Sequence, residues 1–175
     1  MKYLLFFTVV LLFFASCKKE VTELPPESAN GANIFGAMVN GAFWVPKGFG
    51  IVPTAPILEA RYRPNNAVLI NARNFASSPN ESEFEILLNN VTGPGVYPLN
   101  DESSNGNYAY YVERKLIPSG EWRTGAQHTG QVIVSVADTI NRIIAGRFEF
   151  VAGSLSIYSN ANAKVTDGRF DIKIK

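Results

Sequence analysis

The last part of the chain alternates apolar and charged side chains with a period of two. Between residues 144 and 150 the apolar positions include Ile144, Phe148 and Phe150, and the charged residues Arg147 and Glu149 lie between them. Successive side chains of a strand point to opposite faces of a sheet, so this pattern predicts one buried face and one solvated face. We therefore expect an antiparallel strand that packs on the core through one side only.

A second strand of the same design follows at the C-terminus. Its apolar positions are Phe170, Ile172 and Ile174, and Asp171 is predicted to lie on the wet face beside its basic neighbours. Both strands open with Gly-Arg-Phe, a motif that occurs at 146–148 and again at 168–170. We expect the two strands to be neighbours, with the phenylalanines and Ile172 in the core.

Short strands separated by turn residues continue through the rest of the domain. Asn40-Gly41 and Pro64-Asn65-Asn66 each lie between two strand-like runs and predict tight hairpin turns. The predicted strands cover residues 34–39, 42–45, 57–63, 67–74, 83–88, 96–99, 108–115, 129–137, 144–150 and 169–175.

This spacing predicts an all-β fold. About eight to ten antiparallel strands with Gly, Pro and Asn between them favour a β-sandwich or flattened β-barrel, because an open sheet would leave edges unpaired. A lipocalin-like barrel with an internal cavity has the same alternation and remains an alternative.

The N-terminus carries an export signal. Met1-Lys2 is followed by an apolar run from Tyr3 to Phe14 and then by Ala15-Ser16-Cys17. The run is shorter than the roughly 20 residues that a transmembrane helix needs, so we expect residues 1–16 to be a cleaved signal peptide. The site resembles a bacterial lipobox, which implies that Cys17 is lipidated. Cys17 is the only cysteine, which excludes an intramolecular disulfide.

The chain is predicted to have three segments, of which the signal peptide is the first. Residues 17–33 are predicted to be a flexible tether, since they contain almost no large apolar side chains, and residues 34–175 a single domain. We expect a protein that is lipid-anchored to the outer membrane of the cell envelope. Periplasmic and surface-exposed display both remain open.

Composition and charge exclude one large class of partners. Of the 175 residues, 46% are hydrophobic and 18% are charged, as in an ordinary globular domain. The chain has 16 basic and 15 acidic residues, and the loss of Lys2 with the signal peptide balances them. Nucleic-acid binding needs a clustered basic excess, so we expect no nucleic-acid partner.

Candidate catalytic residues are few. His128 is the only histidine and lies between glycines in a predicted loop, so no histidine triad is available. Glu83 with Glu85, and Asp167 with Asp171, are carboxylate pairs on the polar faces of single strands, which is a poor arrangement for a glycosidase. We expect no enzymatic activity and no cofactor, with a glycan-active hydrolase as the alternative.

The loop from Asp101 to Asn107 resembles the opening of a calcium loop, with oxygen ligands at alternate positions and Gly106 at the sixth. The twelfth position is Val112 where a bidentate glutamate is required. We expect no metal site.

Candidate binding residues come from the aromatic strand at 108–115. Tyr108 and Tyr110 share one face of this strand, and with Trp122 they are candidates for a platform that stacks on sugar rings. The alternative is that they pack at the rim of the core. Sequence alone leaves both open.

Several short motifs together resemble a known family. They are Gly36 to Gly41 followed by Trp44, Gly93 to Tyr97, Ile144 to Phe150, and Val165 to Asp171. In order and spacing the chain is similar to a Bacteroidota lipoprotein family of unknown function, which implies an all-β domain on a lipid anchor. The expected role is a non-enzymatic binding or structural module with a glycan or an envelope protein as partner. A small-ligand-binding barrel is the further alternative.

Overall fold

The computed structural model describes residues 22–48, 55–76, 80–101, 103, 106–114 and 120–175. No helix occurs among them. The eleven strands are β1 (Ile34–Val39), β2 (Ala42–Trp44), β3 (Leu58–Arg63), β4 (Ala67–Asn74), β5 (Glu81–Leu88), β6 (Gly95–Pro98), β7 (Tyr108–Arg114), β8 (Gly120–Arg123), β9 (Gly130–Asp138), β10 (Ile143–Ser154) and β11 (Ala163–Lys173).

All these strands belong to one curled antiparallel sheet. Its main path runs β2-β1-β11-β10-β8-β7-β5-β4-β3, and β9 pairs with β10 and carries β6 on its other side. The long strand β10 joins the two parts of the sheet, because its end at Gly153 and Ser154 pairs with β8. The C-terminus then meets β3, where the backbone N–H of Lys175 donates to the carbonyl of Ala60 at 2.9 Å. The predicted all-β class is confirmed, in the form of one curled antiparallel sheet that makes a half-barrel.

Aromatic rings fill the space that the sheet encloses. Phe35 contacts Trp44, Phe84 and Phe148, with ring centroids between 5.0 and 5.8 Å apart. Phe84 also contacts Tyr111, its cross-strand partner on β7, at 4.7 Å between ring centroids. Such contacts stabilise the interior beyond the area that they bury. The centre of the molecule is therefore packed with side chains, unlike the cavity of a lipocalin.

The predicted phase of the terminal strands is confirmed. The side chains expected in the core are all buried: Phe148, Phe150, Phe170 and Ile172. Arg147 lies directly opposite Arg169 on the outer face, in the register that makes β10 and β11 neighbours.

The two Gly-Arg-Phe motifs fit each other in that register. Gly146 pairs with Phe170, and Phe148 pairs with Gly168. A Cβ atom at Gly168 would lie 2.5 Å from Cδ2 of Phe148, and one at Gly146 would lie 3.0 Å from Cζ of Phe170. Each ring therefore occupies space that a side chain on the opposite strand would need.

The two predicted hairpins also form. Asn40 and Gly41 have φ angles of 49° and 83°, which is the left-handed region that a two-residue turn requires. Asn65 and Asn66 have φ angles of 61° and 54° between β3 and β4.

Residues near the N-terminus differ from the predicted tether. Residues 24–32, which we call the strap, lie on the outer face of β1, β11 and β10. The segment has few apolar side chains, but its backbone N–H groups find an acceptor in Asp171. Asp171 was predicted to be solvated, and it is instead fully buried beneath the strap. Hydrogen bonds, which residue composition does not report, order this segment.

Candidate functional site

The aromatic residues that were predicted to form a platform are divided between the two faces of the sheet. Tyr108 and Tyr110 lie half-buried on the outer face of β7. Trp122 of β8 pairs with Tyr111, and the two rings stack at 5.7 Å on the inner side. Trp122 also donates from Nε1 to the carbonyl of Ala161 at 2.9 Å. The three candidates therefore do not form one surface.

Both outer tyrosines have polar partners. The Tyr108 hydroxyl donates to Glu85 Oε1 at 2.7 Å, and the guanidinium of Arg123 lies 4.2 Å from the centre of the Tyr108 ring. Burial, followed by the bond to Glu85, raises the pKa of Tyr108 to about 12. Burial and the bond to Glu121 raise the pKa of Tyr110 to about 12 as well. One face of the Tyr108 ring is thus covered by Arg123, where a sugar would have to stack.

Ion pairs organise the rest of this outer face. Arg73 bridges two strands, with Nη1 3.0 Å from Glu59 Oε1 and Nε 2.9 Å from Glu83 Oε1. Arg61 Nη2 lies 2.6 Å from the other Glu59 oxygen, an ion-pair contact without hydrogen-bond alignment. Arg114 completes the set at 3.3 Å from Glu83 Oε2. We call the outer surface of β3, β4, β5, β7 and β8 the ion-paired face.

Other sequence candidates occupy ordinary structural positions. The Glu83 carboxylate is ion-paired with Arg73, and Asp101 accepts a bond from the N–H of Ser103 at 2.8 Å in the loop considered for calcium. His128 lies half-buried in the loop after β8, with its ring over Gly153. Cys17 lies outside the described residues, so its lipidation stays a prediction.

A different site lies on the opposite part of the sheet, where Asp171 holds the strap. Its carboxylate accepts bonds from the Ser28 hydroxyl at 2.7 Å and from the N–H groups of Asn30, Gly31 and Ala32 at 3.0, 2.7 and 3.0 Å. Successive N–H groups that converge on one carboxylate form a favourable anion nest. Burial raises the pKa of Asp171, and the four hydrogen bonds together outweigh it and lower the pKa below its usual value.

The strap also depends on a glycine. Gly36 of β1 lies opposite Arg169 on the outer face, and a Cβ atom there would lie 2.7 Å from Cδ of Pro25. Pro25 can rest on the strand only because this position has no side chain. The Pro25 carbonyl in turn accepts a bond from Arg169 Nη1 at 3.3 Å. The outer surface of β1, β11, β10 and β9, with the strap across it, is called the strapped face.

Two arginines face each other beside the strap. Arg147 and Arg169 are a direct cross-strand pair, an arrangement that like charges disfavour. Glu27 of the strap offsets the repulsion, since Arg147 Nε donates to its Oε2 at 3.0 Å. A cleft of about 230 Å³ lies among these three side chains, Ile133 and Glu149. This volume is below the roughly 300–1,000 Å³ of typical small-molecule sites, so the cleft is small for a whole ligand.

Sequence reasoning did not identify this cleft. The repeated Gly-Arg-Phe motif was visible, and pairing the two copies in register would have placed Arg147 opposite Arg169. No sequence pattern marked Glu27 or Asp171 as part of a site. The partner of Glu27 is 120 residues away in the chain, and those of Asp171 are 139 to 143 residues away.

The described residues also bear on metal binding and membrane crossing. These residues hold no group of three or more His, Cys, Asp and Glu side chains that could bind a metal ion. In the same part of the chain, no helix has the length and apolar character needed to cross a membrane.

The fold and the two outer faces define a class of protein: an all-β domain with a packed aromatic core and a docked N-terminal strap. The chain belongs to the family described as a domain of unknown function, DUF6252, whose model matches residues 32–171. Membership of a family of unknown function was expected and is confirmed, whereas the link to Bacteroidota lipoproteins remains a prediction. No curated protein and no solved structure matches the chain.

Proposed function

We propose that the protein is a lipid-anchored, non-enzymatic module of the cell envelope that serves a structural or protein-interaction role at the outer membrane. The observation that carries this proposal is the filled core, since the rings of Phe35, Phe84 and Phe148 occupy the space that a small ligand would need. A packed core with polar outer faces is suited to contact another macromolecule.

The strap supports the lipid-anchor part of this proposal. Cys17 precedes Leu24, the first residue of the strap, by seven positions, a span of at most about 25 Å when fully extended. Asp171 and Gly36 fix the strap to the sheet. A lipid on Cys17 would therefore hold the domain close to the membrane surface rather than at the end of a long tether.

The proposed partner is an envelope protein, and a glycan is the second candidate. The cleft beside Arg147 and Arg169 is small and has charged groups of both signs at its rim. The aromatic residues Tyr108 and Tyr110 remain the candidates for a glycan, although Arg123 covers one face of Tyr108.

Detergent-phase partitioning tests the anchor. The full chain expressed with its own signal should enter the detergent phase, and Cys17→Ser should move it to the aqueous phase. A matched Ser16→Ala variant should behave like the wild type. If Cys17→Ser partitions unchanged, the anchor is wrong.

Calorimetric titration with a panel of polysaccharides tests the choice of partner. We expect no binding heat. Saturable binding that is lost in both Tyr108→Ala and Tyr110→Ala, in a domain that still unfolds cooperatively, would replace the protein-interaction role with glycan capture.

A further inference from the structure

The loop between β10 and β11 exposes large apolar side chains at its tip. Leu155, Ile157 and Tyr158 are 54%, 88% and 92% exposed. Single exposed apolar residues are common, but three within four positions form a patch that usually marks a contact with a membrane or another molecule.

Two hydrogen bonds to β8 fix the ends of this loop. The Leu155 N–H donates to the carbonyl of Glu121 at 2.8 Å, and Trp122 Nε1 donates to the carbonyl of Ala161 at 2.9 Å. Between these two points the tip projects outward, and its apolar side chains do not fold back onto the nearby edge of the core.

The loop itself carries no acidic side chain, and one basic residue lies near its end. No acidic residue occurs between Glu149 and Asp167, and the exposed Lys164 follows the loop directly. The nearest carboxylate on β8 is that of Glu121, which accepts a bond from the Tyr110 hydroxyl. Anionic lipid headgroups attract a basic residue at such a position.

We propose that this loop enters the headgroup region of the membrane that carries the anchor, so that the domain contacts the bilayer at a second point. The inference rests on the lipid anchor in the proposed function. Ile157 and Leu155 supply apolar contact with the boundary of the acyl chains, and Tyr158 combines an apolar ring with a hydroxyl that stays among the headgroups.

Chain lengths allow both contacts at once. The loop ends where β11 begins at Ala163, six residues before Arg169, which binds the strap, and this distance is about 20 Å. The seven residues from Cys17 to Leu24 reach at most about 25 Å. The anchor therefore reaches at least as far along the sheet as the base of the loop.

The opposite end of the sheet is a poorer candidate. Its turn between β9 and β10 exposes only Ile140, and the N–H groups of Ile140 and Asn141 hold the Asp138 carboxylate at the same tip. Arg142 in the same turn is exposed as well, so this end of the sheet carries charges of both signs. Three exposed large apolar side chains, against one at the opposite turn, select the loop after β10.

A thiol-reactive, environment-sensitive fluorophore at Ile157→Cys tests the proposal. The lipidated full chain is reconstituted into vesicles of equimolar phosphatidylethanolamine and phosphatidylglycerol, and Ile140→Cys is the matched control at the opposite end. Because Cys17 is the only native cysteine and would be acylated, the introduced thiol is the only one that reacts. We expect a blue-shifted emission that shallow nitroxide lipids quench at position 157, and water-like emission at position 140.

The outcomes separate the two proposals. If wild-type protein resists labelling and the probe at 157 stays water-like, the anchor stands and the loop contact is wrong. If the wild type labels at Cys17, the anchor fails and the loop contact falls with it. Shielding at 157 that depends on protein concentration, without quenching by nitroxide lipids, would assign the loop to a protein contact and overturn the inference.

Discussion

The two outer faces of the sheet satisfy their charges in different ways. On the ion-paired face, Arg73 finds Glu59 and Glu83 on neighbouring strands, so the sheet supplies both signs of charge. On the strapped face, Arg147 and Arg169 oppose each other and Asp171 is buried, so the partners come from a segment outside the sheet. The same alternation of apolar and charged residues thus produces two different faces. On one face the charged side chains pair with each other, and on the other they find their partners in the strap.

The largest expected effect concerns the core that both faces share. Phe84→Ala beneath the ion-paired face and Phe170→Ala beneath the strapped face should each cost about 3–5 kcal/mol of unfolding free energy, because both rings are fully buried. Denaturant unfolding measures this cost. Arg169→Ala is the control and should cost far less. If Phe170→Ala left stability unchanged, the assigned phase of β11 would be wrong.

Asp171→Asn should have the next largest effect and should release the strap. The substitution places an NH₂ group or a neutral oxygen where a carboxylate accepts four bonds, at a cost of about 2 kcal/mol. Hydrogen exchange should show faster exchange at Asn30 to Ala32, with β3 to β5 unchanged. Equal protection of these amides in the variant and the wild type would contradict the role of Asp171.

The same carboxylate predicts a dependence on pH. The folded pKa of Asp171 lies below its unfolded value of about 4, so its contribution is complete above that value and is lost as the pH falls through the folded pKa. Strap amides should lose protection in this acidic range. Asp171→Asn should lack this part of the acid dependence, and a variant with the wild-type profile would exclude Asp171 as its source.

Gly36→Ala should have a smaller effect of about 1 kcal/mol, since the added methyl group displaces Pro25 from β1. Limited proteolysis of the strap should become faster. Gly93→Ala is the matched control, because a Cβ atom there has no heavy atom within 4 Å. If both variants were cleaved like the wild type, the strap would not depend on contact at Gly36.

The smallest effect should come from the exposed ion pairs. Arg147→Ala removes the bond to Glu27, and Arg114→Ala removes a comparable contact with Glu83 on the other face. Each should cost about 0–1 kcal/mol and lose most of that cost in high salt. Urea unfolding at two salt concentrations measures both. A large, salt-insensitive cost for Arg147→Ala would mean that the strap depends on Glu27 more than on Asp171.

The strands could be predicted because the patterns that specify them lie within short stretches of sequence. The phase of Phe148 and Phe170 follows directly from a period of two, and Asn40-Gly41 specifies its own turn. Strand β8 was missed because Gly120–Arg123 is too short to show an alternation. Trp122 was grouped with Tyr108 because sequence gives the phase within a strand but not the register between strands.

The candidate site was largely beyond sequence reasoning. Asp171 has the phase of a solvated residue, and what buries it is a segment about 140 residues earlier in the chain. The alternation within β11 gives no information about a distant segment of the chain, such as the strap, that covers the strand. A segment such as 24–32 likewise looks unstructured by composition, since its docking depends on hydrogen bonds and on a glycine of another strand.

The reciprocal fit of the two Gly-Arg-Phe motifs has a consequence for how the chain chooses among competing strand alignments. A shift of two residues keeps every side chain on its own face, so the hydrophobic pattern alone cannot reject it. In one direction such a shift would set Phe148 against Phe170, and in the other it would set Gly146 against Gly168 and leave a void. Only the observed alignment gives each ring a glycine to lie over, so side-chain volume favours this register over both shifted ones.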